Sequence, residues 1–222
     1  MVRCGGAEAP SLCAIDCGLR HNGDMDESLP KLYLVRHGET EWSRGGKHTG
    51  LTDIALTERG ESAARTLQSA MAKLHPRLVL TSPLQRAWRT AELAGIANAQ
   101  IDPDLVEWDY GAYEGRTTRD IQTERPGWRQ FVDGCPGGEA LATVSLRADR
   151  VVARLRALQA DALVFAHRDI LRVLIARWIA LPAIEGCRMQ LETASISVLG
   201  YDHDLSEPMI LKLNQTQDEI AA

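Results

Sequence analysis

The chain has 222 residues, 45% of them hydrophobic, and a formal net charge of −5 at pH 7. This length and composition suffice for one domain with a sizeable core. The negative charge excludes a general attraction to nucleic acid, so any anion site must be built locally. The longest apolar runs are far shorter than a membrane span and contain arginines, so neither nucleic acid nor a membrane is an expected partner.

Residues 1–30 are predicted to be a disordered N-terminal extension, and residues 31–216 to be one domain. The extension lacks the basic start and the apolar run of a secretory signal. Five cysteines are an odd count, and in a chain of this length they indicate a reduced, cytoplasmic protein. Cys13, Cys17 and His21 have ligand-type side chains, but their spacing fits no zinc pattern, so free thiols are predicted there.

Short apolar runs and segments of helical periodicity alternate along the domain. The runs, which we interpret as strands, are 31–36, 78–83, 99–101, 161–166, 194–201 and 209–213. The helical segments are 57–76, 83–95, 139–159 and 169–180. This alternation predicts an α/β fold, namely a mostly parallel, doubly wound sheet with helices on both faces. An exposed edge strand near 209–213 would allow a homodimer.

Individual residues refine these elements. Ser82, followed by a proline, predicts the N-cap of the second helix, and Gly95 predicts its C-cap. The third helix interleaves four arginines, Arg147 among them, with apolar positions, and these are predicted to form a solvated face. Residues 105–138 are rich in Gly, Trp, Tyr and Pro, which predicts a long functional loop with one short helix.

Three strands end in polar residues of the same kind. The residues at or just after these ends are Arg36, His37, Ser82, Arg86, His167 and Arg168. Because the carboxyl ends of parallel strands share one edge of an open sheet, these side chains are expected to converge. Guanidinium groups and helix N-termini suit a tetrahedral dianion better than a neutral ligand. The combination predicts a phosphate site, although any one of these residues alone would indicate a turn or a solvated surface.

The motifs at these strand ends resemble those of the histidine phosphatase superfamily, the phosphoglycerate mutase-like proteins. LVRHGETEW, SPLQRAWRTAE, VEWDYGAYEG, GGE and VFAHRD occur in the order of that superfamily and span residues 31–200. GKHTGLTDIALTERGE and EWDYGAYEGRTT are most similar to its broad-specificity acid phosphatases and sugar bisphosphatases. The resemblance implies a phosphoglycerate mutase-like fold and a small phosphorylated metabolite as the substrate, with no cofactor and no metal.

The resemblance also implies catalytic roles. His37 would attack phosphorus and form a phosphohistidine. Arg36, Arg86 and His167 would clamp the phosphoryl oxygens and stabilise their charge. Glu107 would protonate the leaving oxygen and later activate a water molecule, which requires a pKa raised by enclosure among aromatic side chains.

Other loop residues are assigned to substrate contacts or are alternative candidates for the general acid. Ser43, Thr49 and Gly50 are expected to line the substrate side, Gly50 through its backbone. Asp109 and Glu114 are the alternatives to Glu107 as the acid.

Two positions depart from the superfamily's pattern. Ser43 stands where Asn is common, and its shorter side chain implies that a phosphate contact is lost or passes to another group. Arg168 follows the second histidine, where Gly is usual, and it either adds a positive charge to the pocket or points outward. We count Arg168 among the substrate-binding residues.

The predicted function is a metal-independent phosphomonoesterase that acts on small phosphate esters. The segment between Glu107 and Glu139 is shorter than in cofactor-dependent mutases, so water should reach the phosphohistidine. The alternatives are a sedoheptulose- or fructose-type bisphosphatase, or a phosphoglycerate mutase. An alternative of another class is a non-catalytic phosphate-binding protein, which would bind phosphate esters without turnover.

Overall fold

A computed structural model describes residues 29–216 and contains one six-stranded sheet in the order β3-β2-β4-β1-β5-β6. The strands are β1 (Leu32–Arg36), β2 (Leu78–Thr81), β3 (Gln100–Ile101), β4 (Ala162–Ala166), β5 (Ile196–Tyr201) and β6 (Pro208–Gln215). Strands β3, β2, β4 and β1 are parallel, whereas β5 and β6 pair antiparallel. The predicted α/β class and mostly parallel sheet are confirmed. The predictions for the N-terminal cysteines and His21 lie outside the described residues.

Eight α-helices surround the sheet in the described part of the chain. They are α1 (Glu41–Arg44), α2 (Glu58–Thr66), α3 (Gln68–Met71), α4 (Gln85–Leu93), α5 (Thr118–Glu124), α6 (Gln130–Asp133), α7 (Leu141–Leu158) and α8 (Arg168–Trp178). None of the helices within residues 29–216 has the length and apolarity needed to cross a bilayer. Strand β6 lies at an edge of the sheet. The homodimer that an exposed edge strand would allow stays a prediction.

The two faces of the sheet carry separate hydrophobic clusters. Every side chain of the central strand β4 is buried, and successive side chains point to opposite faces. Ala162, Val164 and Ala166 pack with α7 and α8. Leu163 and Phe165 pack with residues of α3 and α4 and with the partly buried side of α2. Helices therefore cover both faces, as the apolar run of this strand predicts.

Several local predictions need correction. The predicted helix at 57–76 is interrupted at Leu67, which separates α2 from α3. Ser82 is not the N-cap of α4, because the helix begins at Gln85 and its N-cap is Leu84. The Ser82 hydroxyl accepts from the Leu84 N–H at 3.3 Å and also bonds to a histidine ring. Gly95, with φ +86°, follows the C-cap Ala94. The loop at 105–138 contains two short α-helices where one was predicted.

The prediction that the arginines of the third helix form a solvated face is wrong for Arg147. Its side chain is 9% exposed and pairs with Glu139 at 2.7 Å. The guanidinium also donates to the carbonyl oxygens of Asp104 and Val106, at 2.7 and 2.9 Å. Arg147 therefore fastens the chain just before Glu107 to helix α7, a long-range role that helical periodicity cannot reveal.

Candidate active site

A polar cavity lies at the carboxyl end of β1. Its walls are formed by Arg36, His37, Ser43, Gly46, Lys47, Thr49, Glu107, Tyr110 and Arg168. Strands β1 and β4 are parallel and in register, with Arg36 opposite Ala166, so each strand is followed by a histidine at the same edge. The rings of His37 and His167 are 5.2 Å apart between centroids. The sheet thus brings together two histidines that are far apart in sequence.

His37 is buried, and its hydrogen bonding defines which ring nitrogen carries the proton. Nδ1 lies 2.7 Å from the carbonyl oxygen of Gly38, which can only accept, so Nδ1 is the protonated nitrogen. Burial, followed by the charges of Arg86 and Arg36, lowers the pKa of His37 well below its ordinary value. The ring is therefore neutral at pH 7, with an unprotonated Nε2.

Arg36 offers a buried donor that the protein leaves unused. Its Nη1 donates to the carbonyl oxygen of Leu191 at 2.6 Å, whereas its buried Nε has no hydrogen-bond partner within residues 29–216. Burial lowers the pKa of Arg36 to about 10, so the side chain is still a cation at pH 7. A buried, unpaired N–H of a cation is costly, and an anionic ligand in the cavity would satisfy it.

Arg86 is fully buried and is not part of the cavity wall. Its Nη atoms donate to the carbonyl oxygens of Thr49, Gly50 and Thr52, at 3.2, 2.7 and 2.9 Å. Its Nε donates to Nδ1 of His167 at 3.1 Å. The structure therefore directs four donors of Arg86 to protein atoms, and the predicted phosphoryl contact stays a prediction.

His167 is held in one tautomer by its two neighbours. Since Arg86 can only donate, Nδ1 of His167 accepts and the ring proton lies on Nε2. Nε2 is 2.7 Å from the Ser82 hydroxyl and donates to it. Burial and the charge of Arg86 lower the pKa of His167 well below its ordinary value, so this ring is also neutral.

The carboxylate of Glu107 caps helix α8. Oε1 accepts from the backbone N–H groups of Trp108 and Ile170, at 2.9 and 3.0 Å, and Oε2 accepts from that of Asp169 at 3.1 Å. No side chain at the N-cap position of α8 makes a capping bond, so Glu107 takes that place. Burial, followed by the charge of Asp169, raises the pKa of Glu107 against the opposing effect of these N–H groups. The rivals Asp109 and Glu114 do not line the cavity.

The predicted substrate-side residues divide into two groups. Ser43 and Thr49 line the cavity, and the Ser43 hydroxyl is also part of a capping box with Thr40. Gly50 does not line it, because its N–H donates to Glu114 at 2.8 Å and its carbonyl accepts from Arg86. Both polar groups of the Gly50 backbone are thus bonded within the protein, and a contact between this backbone and the substrate stays a prediction.

Arg168 adds a positive charge to the cavity. It lines the wall and pairs with Asp169, its Nε 3.0 Å from Oδ1 and its Nη2 3.2 Å from Oδ2. Asp169 is fully buried and also accepts from Tyr110 at 2.6 Å and from Arg172 at 2.8 Å. Although burial alone would raise the pKa of Asp169, the two arginines lower it, so Asp169 is a carboxylate.

Sequence reasoning missed Lys47 and Asp169, and it named Tyr110 only as an aromatic residue that encloses Glu107. Lys47 and Tyr110 line the cavity, and Asp169 connects Tyr110 to Arg168. Their positions in the motif segments were visible, but the direction of each side chain was not. His48, in the loop between α1 and α2, is buried against Tyr110 and Trp128, with ring centroids 4.9 and 5.4 Å away.

Metal-ligand side chains do not gather in the cavity. Within residues 29–216, the group of three ligand-type side chains close enough to share an ion is Asp202, His203 and Glu207. All three are exposed and lie between β5 and β6, and exposed acidic groups of this kind are common without an ion.

Comparisons with known proteins agree with this geometry. The model of the histidine phosphatase superfamily (branch 1) matches residues 32–216. An acid phosphatase of Mycobacterium tuberculosis is 40% identical over 196 residues, which cover 86% of this chain and 97% of the relative. Sedoheptulose 1,7-bisphosphatase of Saccharomyces cerevisiae is 36% identical over 81% of this chain and 78% of its own length.

Solved structures show the same similarity. The protein of a Mycobacterium tuberculosis open reading frame superposes with a TM-score of 0.80 at 38% identity, covering 85% of this chain and 98% of that chain. Alpha-ribazole phosphatase from Shigella flexneri gives a TM-score of 0.73 at 30% identity, covering 83% and 96%. The chain therefore belongs to the histidine phosphatase superfamily, branch 1, and is an enzyme of the histidine phosphatase type.

Proposed function

We propose that the protein is a metal-independent phosphomonoesterase that hydrolyses small phosphate esters through a phosphohistidine. The observation that carries this proposal is the state of His37 in the cavity wall. Its ring is buried and neutral, and the bond from Nδ1 to Gly38 leaves the lone pair on Nε2. An imidazole in this state is a nucleophile without any activation by a metal or a base.

In the first step, the lone pair of Nε2 forms a bond to phosphorus while the ester P–O bond breaks. The leaving oxygen takes the bonding electrons and a proton from Glu107. Arg36 stabilises the transferred phosphoryl group, because its Nε is a buried, positively charged donor in the cavity wall without a hydrogen-bond partner among the described residues. The raised pKa of Glu107 supports its role as an acid, since burial keeps the proton on this carboxyl at a higher pH.

In the second step, water attacks phosphorus and the N–P bond breaks. The Glu107 carboxylate accepts the water proton, which restores the acid for the next cycle. Inorganic phosphate leaves, and the N–P electrons return to Nε2 of His37. The three backbone N–H groups around Glu107 stabilise its charged form between the two steps.

Similarity to known phosphatases supports the proposed substrate class. An acid phosphatase and a sugar bisphosphatase resemble this chain over most of its length. A solved alpha-ribazole phosphatase shares the fold at 30% identity. These names support hydrolysis of small phosphorylated metabolites, with a sugar bisphosphatase as the second candidate function.

The test is phosphate release from p-nitrophenyl phosphate, 3-phosphoglycerate, fructose 1,6-bisphosphate and sedoheptulose 1,7-bisphosphate. Each assay is run with EDTA, for the wild type, for His37→Ala and for His75→Ala, an exposed histidine outside the cavity. We expect EDTA-resistant turnover that falls at least about 1,000-fold in His37→Ala and is unchanged in His75→Ala. An alkaline quench during turnover should trap the acid-labile phosphoenzyme in the wild type and in His75→Ala, but not in His37→Ala.

Two results would contradict the proposal. Tight binding of these esters without phosphate release would favour a non-catalytic binding protein. Turnover retained in His37→Ala would require a different nucleophile.

A further inference from the structure

Arg168 is an immobilised cation in the cavity wall. Two of its nitrogens bond to Asp169, which is itself fully buried and tied to Tyr110 and Arg172. Its third guanidinium nitrogen, Nη1, donates to no protein atom within residues 29–216. The side chain is 37% exposed, so part of the guanidinium surface is open to a ligand. A held arginine with a free donor loses little conformational entropy when an anion binds.

The charges around Asp169 do not cancel. The single carboxylate of Asp169 pairs with both Arg168 and Arg172, at 3.0 and 2.8 Å. Among these three side chains one positive charge is therefore left over, and Arg168 is the member that combines exposure with a place in the cavity wall. This excess of positive charge is available to a ligand.

Lys47 contributes a second cation from another part of the wall. Its ammonium lies 5.6 Å from the ring centroid of Trp42, and no carboxylate of the described residues pairs with it. The segment that carries Lys47 is pinned to the chain at 115–117, through a β-bridge from Lys47 to Thr117 and hydrogen bonds of His48. The position of the Lys47 backbone is thus fixed, while its side chain stays exposed.

The cavity holds more positive charge than one phosphoryl group needs. Arg36, Lys47 and Arg168 line it, and the one carboxyl in the wall is Glu107, whose pKa is raised. In the proposed reaction Arg36 faces the transferred phosphoryl group beside His37. This assignment leaves Lys47 and Arg168 without a catalytic task and with charge to offer to the rest of the substrate.

We propose that Arg168 and Lys47 form a second anion-binding position beside the phosphoryl position, so that preferred substrates are phosphate esters carrying a second anionic group. This inference rests on the proposed phosphatase function and names the substrate class of the same cavity. The second group is a carboxylate or another phosphate, since both are recognised by guanidinium and ammonium donors.

The test measures binding without turnover, in the His37→Ala background, by titration calorimetry. Two ligand pairs differ by one anionic group and distinguish its source. Glycerol 3-phosphate against 3-phosphoglycerate adds a carboxylate, and fructose 6-phosphate against fructose 1,6-bisphosphate adds a phosphate. The quantity compared is the ratio of the two Kd values within each pair.

We expect the more anionic member of at least one pair to bind about tenfold more tightly, the range of a hydrogen bond to a charged group. Arg168→Gln should abolish most of this preference, and Lys47→Gln should reduce it. Lys73→Gln removes the same charge at an exposed position outside the cavity and should leave the ratio unchanged. Lys47→Gln does not touch the Asp169 network, so it serves as the second variant if Arg168→Gln fails to fold.

Two outcomes would overturn the second anion position. One is equal affinity for both members of each pair. The other is a loss in Arg168→Gln that is the same for both members, which would assign Arg168 to structure or to the phosphoryl group. Absence of phosphate release by the wild type would count against the proposed function instead, because the binding ratios do not depend on turnover.

Discussion

Replacement of Arg86 by lysine distinguishes a structural role from direct contact with phosphate. Arg86 is fully buried and makes four hydrogen bonds, three to carbonyl oxygens of residues 49–52 and one to His167. A lysine ammonium is a compact donor on an unbranched stem and cannot span these acceptors, so at least two bonds are lost. Each bond to a charged donor contributes about 1.5–3 kcal/mol, so the free energy of unfolding should fall by about 3 kcal/mol or more.

The assay combines urea unfolding with steady-state kinetics. With an unfolding slope of about 1–3 kcal/mol per M, the loss shifts the urea midpoint down by about 1–3 M. Turnover should also fall, by about tenfold or more, because His167 loses the donor that fixes its tautomer. Arg89→Lys is the matched control on the same helix, since Arg89 is 41% exposed and pairs with Glu61 and Glu92. Its effect on unfolding should stay within about 0.5 kcal/mol.

One result would refute this reasoning. If Arg86→Lys kept the wild-type urea midpoint but raised KM for phosphate esters, the main role of the guanidinium would be to bind the substrate and not to stabilise the loop at residues 49–52. The phosphoryl clamp implied by the resemblance would then be the correct role.

Two further predictions concern pH and packing. Stability should fall as the pH drops below about 6.5, because His37, His48 and His167 stay neutral when folded but gain protons when unfolded. Burial lowers the pKa of His48 to about 4, so His48→Phe should flatten the pH dependence of the free energy of unfolding between pH 6.5 and 4 by up to about 1.4 kcal/mol per pH unit, as measured by urea unfolding. His75→Phe should leave this pH dependence unchanged. Equal pH slopes in the two variants would contradict the assignment of the effect to the buried ring of His48. Gly50→Ala places a Cβ 2.5 Å from the Trp108 carbonyl oxygen, so overpacking should cost about 1–3 kcal/mol and lower the Tm by several degrees. Gly45→Ala is the control, because its added Cβ meets only contacts of 3.5 Å or more. Equal Tm values for the two variants would show that the backbone near Gly50 shifts to accommodate the added Cβ.

The sequence by itself determined the sheet and the edge at which the site lies. Short apolar runs bounded by turn residues favour buried strands, and the polar residues that follow such a run emerge where the strand ends. Two parallel strands then place His37 and His167 side by side, whatever the length of chain between them. Arg36, Glu107, Ser43, Thr49 and Arg168 could be named as candidates because each belongs to a motif at that edge.

Only the tertiary structure decided what each polar group bonds to. Arg86 donates to carbonyls more than 30 residues away, and Glu107 caps a helix that begins 61 residues later in the chain. Arg147 looks like a surface residue by periodicity, yet it is buried against carbonyls of another segment. Whether Arg168 entered the cavity or pointed outward depended on the buried Asp169 and its partners. Local sequence sets the position of a side chain along an element, but hydrogen bonds between distant segments set its direction, and those exist only in the folded chain.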